Sequence, residues 1–212
     1  MTQGTRITKD PEIRREELID AAEKLFEKNG YDETAVSDIV KEVGVAQGTF
    51  YHYFGSKDEI LKALSERIAA EVVTKVKALM RTKDLSALDK MLALTDIFRT
   101  IAIGRGRMTD LLHEDRNAYI HHMLERRVMP PVVDGLTAII KEGIAEGKFD
   151  TPYPREAAIA IIGISQQFSE GRHDEADVRM IEMEELSRVL EMIERVLGAR
   201  KGLLMKYYGR TR

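Results

Sequence analysis

The fold of this chain is decided by residues 30–60, which read GYDETAVSDIVKEVGVAQGTFYHYFGSKDEI. Apolar residues three and four positions apart predict two short helices here, one from about Val36 to Val43 and one from Gln47 to Tyr53. Gly44 lies between them and suits the positive φ at which helices often stop. Two short helices joined by such a turn form a helix-turn-helix, whose second helix can enter the major groove of DNA.

The second short helix carries an unusual set of side chains. Its hydrogen-bonding residues, uninterrupted by any charged side chain, are Gln47, Thr49, Tyr51, His52 and Tyr53. Gly48 leaves room for a close approach, while Phe50 and Phe54 are four residues apart and are expected to anchor the opposite face in a core. Such a surface can read base edges and hold phosphate oxygens.

Helical spacing of apolar residues recurs along nearly the whole chain, so we predict an all-α fold. One helix is expected to end at Asn29-Gly30, and a long helix begins at Ser56, which has capping-box spacing to Glu59 and should run to about Arg81. Further helices are predicted at residues 86–103, 108–128, 130–147, 155–171 and 177–197. The breaks between them include Gly104-Arg105-Gly106 and Pro130-Pro131.

Composition excludes several classes of protein. The 212 residues include no Cys, which removes disulfides, thiolate zinc sites, Fe–S clusters and thiol nucleophiles. No apolar run is long enough to span a membrane, and residues 1–15 lack the apolar core of a secretory signal, so we expect a cytoplasmic protein with no membrane partner.

Charge is distributed against a simple expectation for a DNA-binding protein. The chain has 33 Lys and Arg against 36 Asp and Glu, and residues 1–60 alone hold eight basic against thirteen acidic residues. From Val43 to Lys57, however, there is no acidic residue. We therefore expect modest non-specific DNA affinity and a shallow salt dependence.

Residues 12–61 resemble the TetR family of bacterial one-component transcriptional regulators. The positions that carry the resemblance are Gly30-Tyr31, Val36, Ile39, Gly44-Val45, Gly48-Thr49-Phe50-Tyr51-His52-Tyr53-Phe54, Ser56-Lys57 and Ile60. The resemblance implies an N-terminal three-helix helix-turn-helix DNA-binding domain at 1–56 and a C-terminal helical bundle for ligand binding and dimerisation at 57–212. It further implies a transcriptional regulator, expected to be a repressor, that binds a palindromic double-stranded operator as a homodimer and is released by a small-molecule effector.

By this resemblance a set of positions is expected to contact DNA: Thr34, Val36, Ser37, Val45, Ala46, Gln47, Gly48, Thr49, Tyr51, His52, Tyr53 and Lys57. Lys57 would pair with a phosphate at the start of the long helix. The chain departs from the family pattern at Ala35 and Ala46, where a capping Ser or Thr is usual, and at Gln47, where many members carry Lys. A lost cap costs ~0.5–2 kcal/mol, and Thr34 is expected to cap one residue early.

Two adjacent apolar helices, 155–171 and 177–197, need more cover than one protomer supplies, so they predict a homodimer interface. The residues expected there are Ile161, Ile164, Leu186, Val189, Ile193 and Val196. The segment Glu146-Gly147-Lys148-Phe149-Asp150 resembles the turn that precedes the dimerisation helices in many family members.

The apolar run Met108, Leu111, Leu112, Tyr119 and Met123 fits either a ligand cavity or ordinary core. The positions expected to bind the effector are Phe98, Met108, Leu112, His113, Tyr119, Met123 and Phe168. In the tail after residue 198, the apolar residues around Leu203 and Tyr207 are expected to dock on the bundle, ahead of a basic, solvated end.

The residues leave three other functions to consider. His113, Glu114, His121 and His122 lack the i,i+4 spacing that places two metal ligands on one helix face, so no metal or cofactor is predicted. A helical hydrolase using His113 with Glu114 or Asp110 is the rival function, but no nucleophile elbow, phosphate loop or carboxylate pair specifies a reaction, and we predict no enzyme. An adaptor that has lost DNA binding is the third, motivated by Ala35, Ala46 and Gln47.

Overall fold

The computed structural model describes residues 10–103, 111, 117–169 and 183–208, and the ordered elements within them are helices joined by turns, as predicted. The chain divides into two compact units, Met1–Arg67 and Ile68–Arg212. The division falls inside the long helix, whose first turns lie in the N-terminal unit.

Along the described residues the helices are α1 (Pro11–Asn29), α2 (Val36–Val43), α3 (Gln47–Tyr53), α4 (Lys57–Arg81), α5 (Ala87–Ile103), α6 (Ala118–Ala145), α7 (Pro154–Ser169), α8 (Met183–Leu197) and α9 (Leu203–Tyr208). The two short helices have the bounds that the sequence predicts. The predicted break at residues 104–106 and the predicted helix starts at 108 and 177 lie outside the described residues. Within the described ranges, no helix is both long and apolar enough to cross a membrane.

In the N-terminal unit, helices begin and end at residues that favour helix termini. The Asp10 carboxylate accepts a hydrogen bond from the Glu12 amide at 2.9 Å and caps α1. Gly44 ends α2 in the left-handed conformation, with φ 75° and ψ 37°. The largest fully buried side chains of this unit are Leu18, Ile19, Phe26, Ile39, Phe50, Ile60, Leu61 and Leu64.

One helix prediction for the second unit is wrong. Pro130 and Pro131 lie inside α6 and do not separate two helices. Each proline removes one backbone donor from the helix, at a cost of ~3 kcal/mol. Val128, Val132 and Leu136, four residues apart along the same helix, are buried in the core of the second unit, and their burial favours continuation of the helix.

A tight turn follows α6 and is hydrogen-bonded to the C-terminal end of α8. Gly147 has φ 67°, and the amides of Lys148 and Phe149 donate to the Gly143 carbonyl at 2.8 and 3.2 Å. Phe149 is buried against Gly143, where an added Cβ would lie 2.2 Å from the phenyl ring. The Asp150 amide then donates to the Leu197 carbonyl at 2.9 Å.

The tail docks on the second unit as predicted. The buried Glu194 carboxylate accepts from the amides of Gly202 and Leu204, both at 2.7 Å, and so holds the start of α9. The Tyr207 hydroxyl donates to Asp89 at the start of α5. This bond lowers the pKa of Asp89, after the larger effect of the Ser86 hydroxyl, and raises the pKa of Tyr207.

Substitution of Gly143 should disrupt the turn sterically. Gly143→Ala places a methyl group into the Phe149 ring, and overpacking of this kind costs ~1–3 kcal/mol or more of unfolding free energy. Gly147→Ala is the matched control in the same turn: its Cβ meets nothing within 4 Å, so it adds only backbone strain of ~1–2 kcal/mol. Urea unfolding at one fixed protein concentration should rank Gly143→Ala as the less stable variant; the reverse order would contradict this packing.

Candidate functional site

The position of α3 is determined by two buried rings. Phe50 is fully buried and Phe54 is 3% exposed, with ring centroids 5.7 Å apart. The Arg15 guanidinium lies 5.3 Å from the Phe54 centroid and ties this end of α3 to α1. A helix of seven residues is not stable alone, so these contacts decide which side of α3 meets solvent.

The opposite side of α3 is polar and accessible. Gln47, Gly48, Tyr51 and His52 are exposed and share one face of the helix, with 54% of Tyr51 accessible. Thr49 and Tyr53 are half-buried at its edge. This face offers amide, hydroxyl and imidazole groups without any carboxylate.

Neither α2 nor α3 receives a side-chain cap at its N-terminus. Ala35 and Ala46 occupy the N-cap positions in extended conformation, and at α2 only the Asp38 carboxylate compensates, by accepting from the Ala35 amide at 2.9 Å. Helix N–H groups without a cap turn to solvent or to an anion. The flanking predicted contacts vary in exposure: Ser37 and Ala46 are exposed, whereas Val36 and Val45 are half-buried.

Thr34 does not cap α2, contrary to the prediction. Its side chain is fully buried, and its hydroxyl donates to the carbonyls of Gly30 at 2.7 Å and Leu25 at 3.3 Å. The hydroxyl therefore closes the end of α1 and does not face a ligand.

Lys57 also lies differently from its predicted role. Its Nζ donates to the carbonyls of Tyr31 at 2.6 Å, Thr34 at 2.9 Å and Asp32 at 3.4 Å. The ammonium lies 4.2 Å from the centroid of the Tyr31 ring. The Lys57 side chain is thus hydrogen-bonded to the loop between α1 and α2.

The acidic charge of the N-terminal unit is partly paired. Arg67 makes ion pairs with Asp20 and Glu23 at 2.6 Å and with Glu16 at 3.1 Å. Burial opposes its charged form, but hydrogen bonds to Asp20 and Glu16 prevail and raise the pKa of Arg67. Glu42 lies on α2, and the hydrogen bond that it accepts from Lys24 of α1 at 2.5 Å lowers its pKa.

The predicted dimer residues do not all face outward. Ile161, Val189 and Ile193, which were expected at the interface, are less than a tenth exposed and lie in the core of the second unit. The half-buried positions are Ile164, Leu186 and Val196. Among the side chains described on these two helices, the large apolar ones that are exposed are Ile159, at 52%, and Met192, at 47%.

The predicted effector residues are placed only in part. Phe98 and Met123 are half-buried, and Phe98 packs on the core of the second unit. Tyr119 is 72% exposed. The side chain of Phe168 and the residues Met108, Leu112 and His113 lie outside what the structure describes.

The histidines predicted not to bind metal have a carboxylate partner. His121 Nε2 and His122 Nδ1 lie 3.5 and 3.6 Å from the two carboxylate oxygens of Glu125. Glu114, like His113, is outside the described ranges. Within those ranges, no three His, Asp or Glu side chains are grouped as a metal site would require.

Comparison with known proteins finds regulators of the helix-turn-helix type, in agreement with the arrangement of α2 and α3. Residues 18–64 match the model of the family described as bacterial regulatory proteins, tetR family. The chain is 39% identical over 62 residues to the uncharacterised HTH-type transcriptional regulator YvdT of Bacillus subtilis, a match that covers 29% of this chain and 32% of YvdT. It is 28% identical over 152 residues to the HTH-type transcriptional regulator HbdR of Aromatoleum, which covers 64% of this chain and 66% of HbdR.

The fold extends the likeness to nearly the whole chain. The crystal structure of Bacillus subtilis FadR in complex with stearoyl-CoA superposes with a TM-score of 0.60 at 21% identity, covering 86% of this chain and 97% of FadR. The matched sequence spans about a third of YvdT and just under two thirds of HbdR. The family match at residues 18–64, the two regulator sequences and the shared fold show that the chain is similar to bacterial regulatory proteins of the tetR family.

Proposed function

We propose that the chain is a homodimeric transcriptional repressor that binds a palindromic operator and is released by a small-molecule effector. The observation that carries the proposal is the exposed, acid-free polar face of α3, held outward by Phe50 and Phe54. An α-helix with its side chains is about 10–12 Å in diameter. A major groove about 12 Å wide therefore admits α3.

Contacts on this face divide by chemistry. Gln47, Tyr51 and His52 can exchange hydrogen bonds with base edges, while Gly48 lets the backbone approach. The uncapped N-termini of α2 and α3 supply backbone N–H groups for phosphate oxygens. DNA binding by these groups needs little net positive charge, which agrees with an N-terminal unit rich in acids.

Dimerisation would place two α3 helices on one operator. We propose that the outer faces of α7 and α8, marked by Ile159 and Met192, form the interface, in place of the core residues Ile161, Val189 and Ile193. A two-fold dimer reads half-sites about 34–36 Å apart. Because a bacterial operator lies in chromosomal DNA, a protein that binds it would act in the cytoplasm.

Release by an effector would act through this spacing. The effector is proposed to bind in the second unit near Phe98 and Met123 and to favour a conformation in which the two α3 helices no longer match successive grooves. The FadR complex with stearoyl-CoA supports a ligand site in a protein of this fold. No covalent chemistry is needed, and the sequence relatives named above are regulators rather than enzymes.

Selection of binding sites from random duplex DNA tests the function. Purified protein at low salt should recover a palindromic sequence. Tyr51→Phe, which keeps the ring and removes the hydroxyl, should weaken binding to it by about 0.5–1.5 kcal/mol, because one hydrogen bond to the operator is lost. The matched control is Tyr153→Phe, another exposed tyrosine, which lies in the second unit and should bind as the wild type does.

Recovery of no palindrome would refute operator binding and favour an adaptor. Equal affinity of wild type and Tyr51→Phe would show that the Tyr51 hydroxyl makes no contact with the operator, because the variant loses only that group.

Sedimentation tests the dimer. The wild type at micromolar concentration should sediment at about twice its 24.1 kDa chain mass, and Ile159→Glu should sediment as a monomer because it buries a charge in the interface. Ile13→Glu changes an equally exposed isoleucine, at 55%, in the N-terminal unit and should stay dimeric. A dimeric Ile159→Glu would show that α7 does not form the interface.

A further inference from the structure

The ammonium of Lys57 has all its hydrogen-bond donors occupied within the protein. A lysine ammonium carries three N–H donors. Carbonyl oxygens of Tyr31, Thr34 and Asp32 lie 2.6, 2.9 and 3.4 Å from it. A phosphate could gain Lys57 only by displacing these carbonyls.

The same loop is fixed to α4 at a second point. The Tyr31 hydroxyl donates to Asp58, the residue after Lys57. The Tyr31 ring lies under the Lys57 ammonium at 4.2 Å and meets the Phe26 ring edge-on at 5.0 Å. The first turn of α4 therefore holds Tyr31 by its carbonyl, its ring face and its hydroxyl.

This attachment leads directly into α2. Thr34, whose carbonyl Lys57 binds and whose hydroxyl is buried, precedes the N-cap residue Ala35. Ala35 has no side-chain oxygen to organise the first turn of α2. The α2 helix packs on α3, so the direction in which the loop enters α2 bears on the placement of both helices.

We propose that Lys57 supports DNA binding as a positioning residue, by holding the Tyr31–Thr34 loop and the first turn of α2, and that it does not neutralise a phosphate. The proposal rests on the proposed DNA-binding function. It replaces the phosphate contact that the sequence resemblance assigns to Lys57, and it adds Tyr31 and Asp58 to the residues on which the binding surface depends.

The salt dependence of operator binding separates the two roles of Lys57. A phosphate contact contributes about 0.9 to the slope of log K against log salt, or about 2 for a dimer that loses two. Lys57→Met should weaken binding to the selected operator roughly tenfold, since hydrogen bonds to a charged group are lost. It should do so by the same factor at every salt concentration, with the slope unchanged.

Tyr31→Phe provides an independent test without any change of charge. It removes only the hydroxyl bond to Asp58 and should also weaken binding without changing the slope. In both variants, amide hydrogen exchange should accelerate at Thr34 and Asp38, whose amides donate to the carbonyls of Tyr31 and Ala35, while the buried Leu61 stays protected, because only the loop and α2 are released. A general loss of stability would accelerate exchange at all three positions.

Lys77→Met is the matched control, since Lys77 is an exposed lysine on the same helix but in the second unit. It should leave both affinity and slope as in the wild type. A slope reduced by about 2 in Lys57→Met, or unchanged affinity in both Lys57→Met and Tyr31→Phe, would overturn the positioning role while leaving operator binding by the wild type intact. Absence of operator binding by the wild type would instead refute the proposed function itself.

Discussion

Burial of Phe50 and Phe54 is the contact on which the proposed DNA-binding surface depends. A seven-residue helix has too few internal hydrogen bonds to persist alone, so the two rings supply its stability and its orientation. With the rings inward, Gln47, Tyr51 and His52 necessarily face outward. The attachment of Lys57 to the Tyr31–Thr34 loop extends the same constraint to α2.

Two features that first argue against DNA binding are reconciled by this arrangement. The N-terminal unit is acidic, but Arg67 binds three carboxylates, Lys24 binds another, and none lies between Val43 and Lys57. The missing caps at Ala35 and Ala46 weaken α2 and α3 but leave their first N–H groups for an anion. The proposed affinity for operator DNA would then come from hydrogen bonds and shape more than from counterion release.

Local signals in the sequence were enough to predict the helix-turn-helix, because Gly44 stops α2 and the spacing of Phe50 and Phe54 defines one face. The prolines at 130 and 131 predicted a break between two helices, but both lie inside α6, where buried side chains on the same helix favour its continuation. The inward orientation of Ile161 could not be read from a helix that is apolar on most sides. The partners of Thr34 and Lys57 depend on backbone carbonyls of other segments, which no residue pattern encodes.

The most direct measurement is the salt dependence of wild-type binding to its selected operator and to random duplex. Readout through the polar face of α3 predicts a log–log slope of about −5 or shallower, with operator binding retained at about 0.2 M salt and random-duplex binding lost. A slope near about −10, as a repressor with many phosphate contacts gives, would contradict this account. So would equal affinity for operator and random duplex, because that result would leave no role for the side chains of α3.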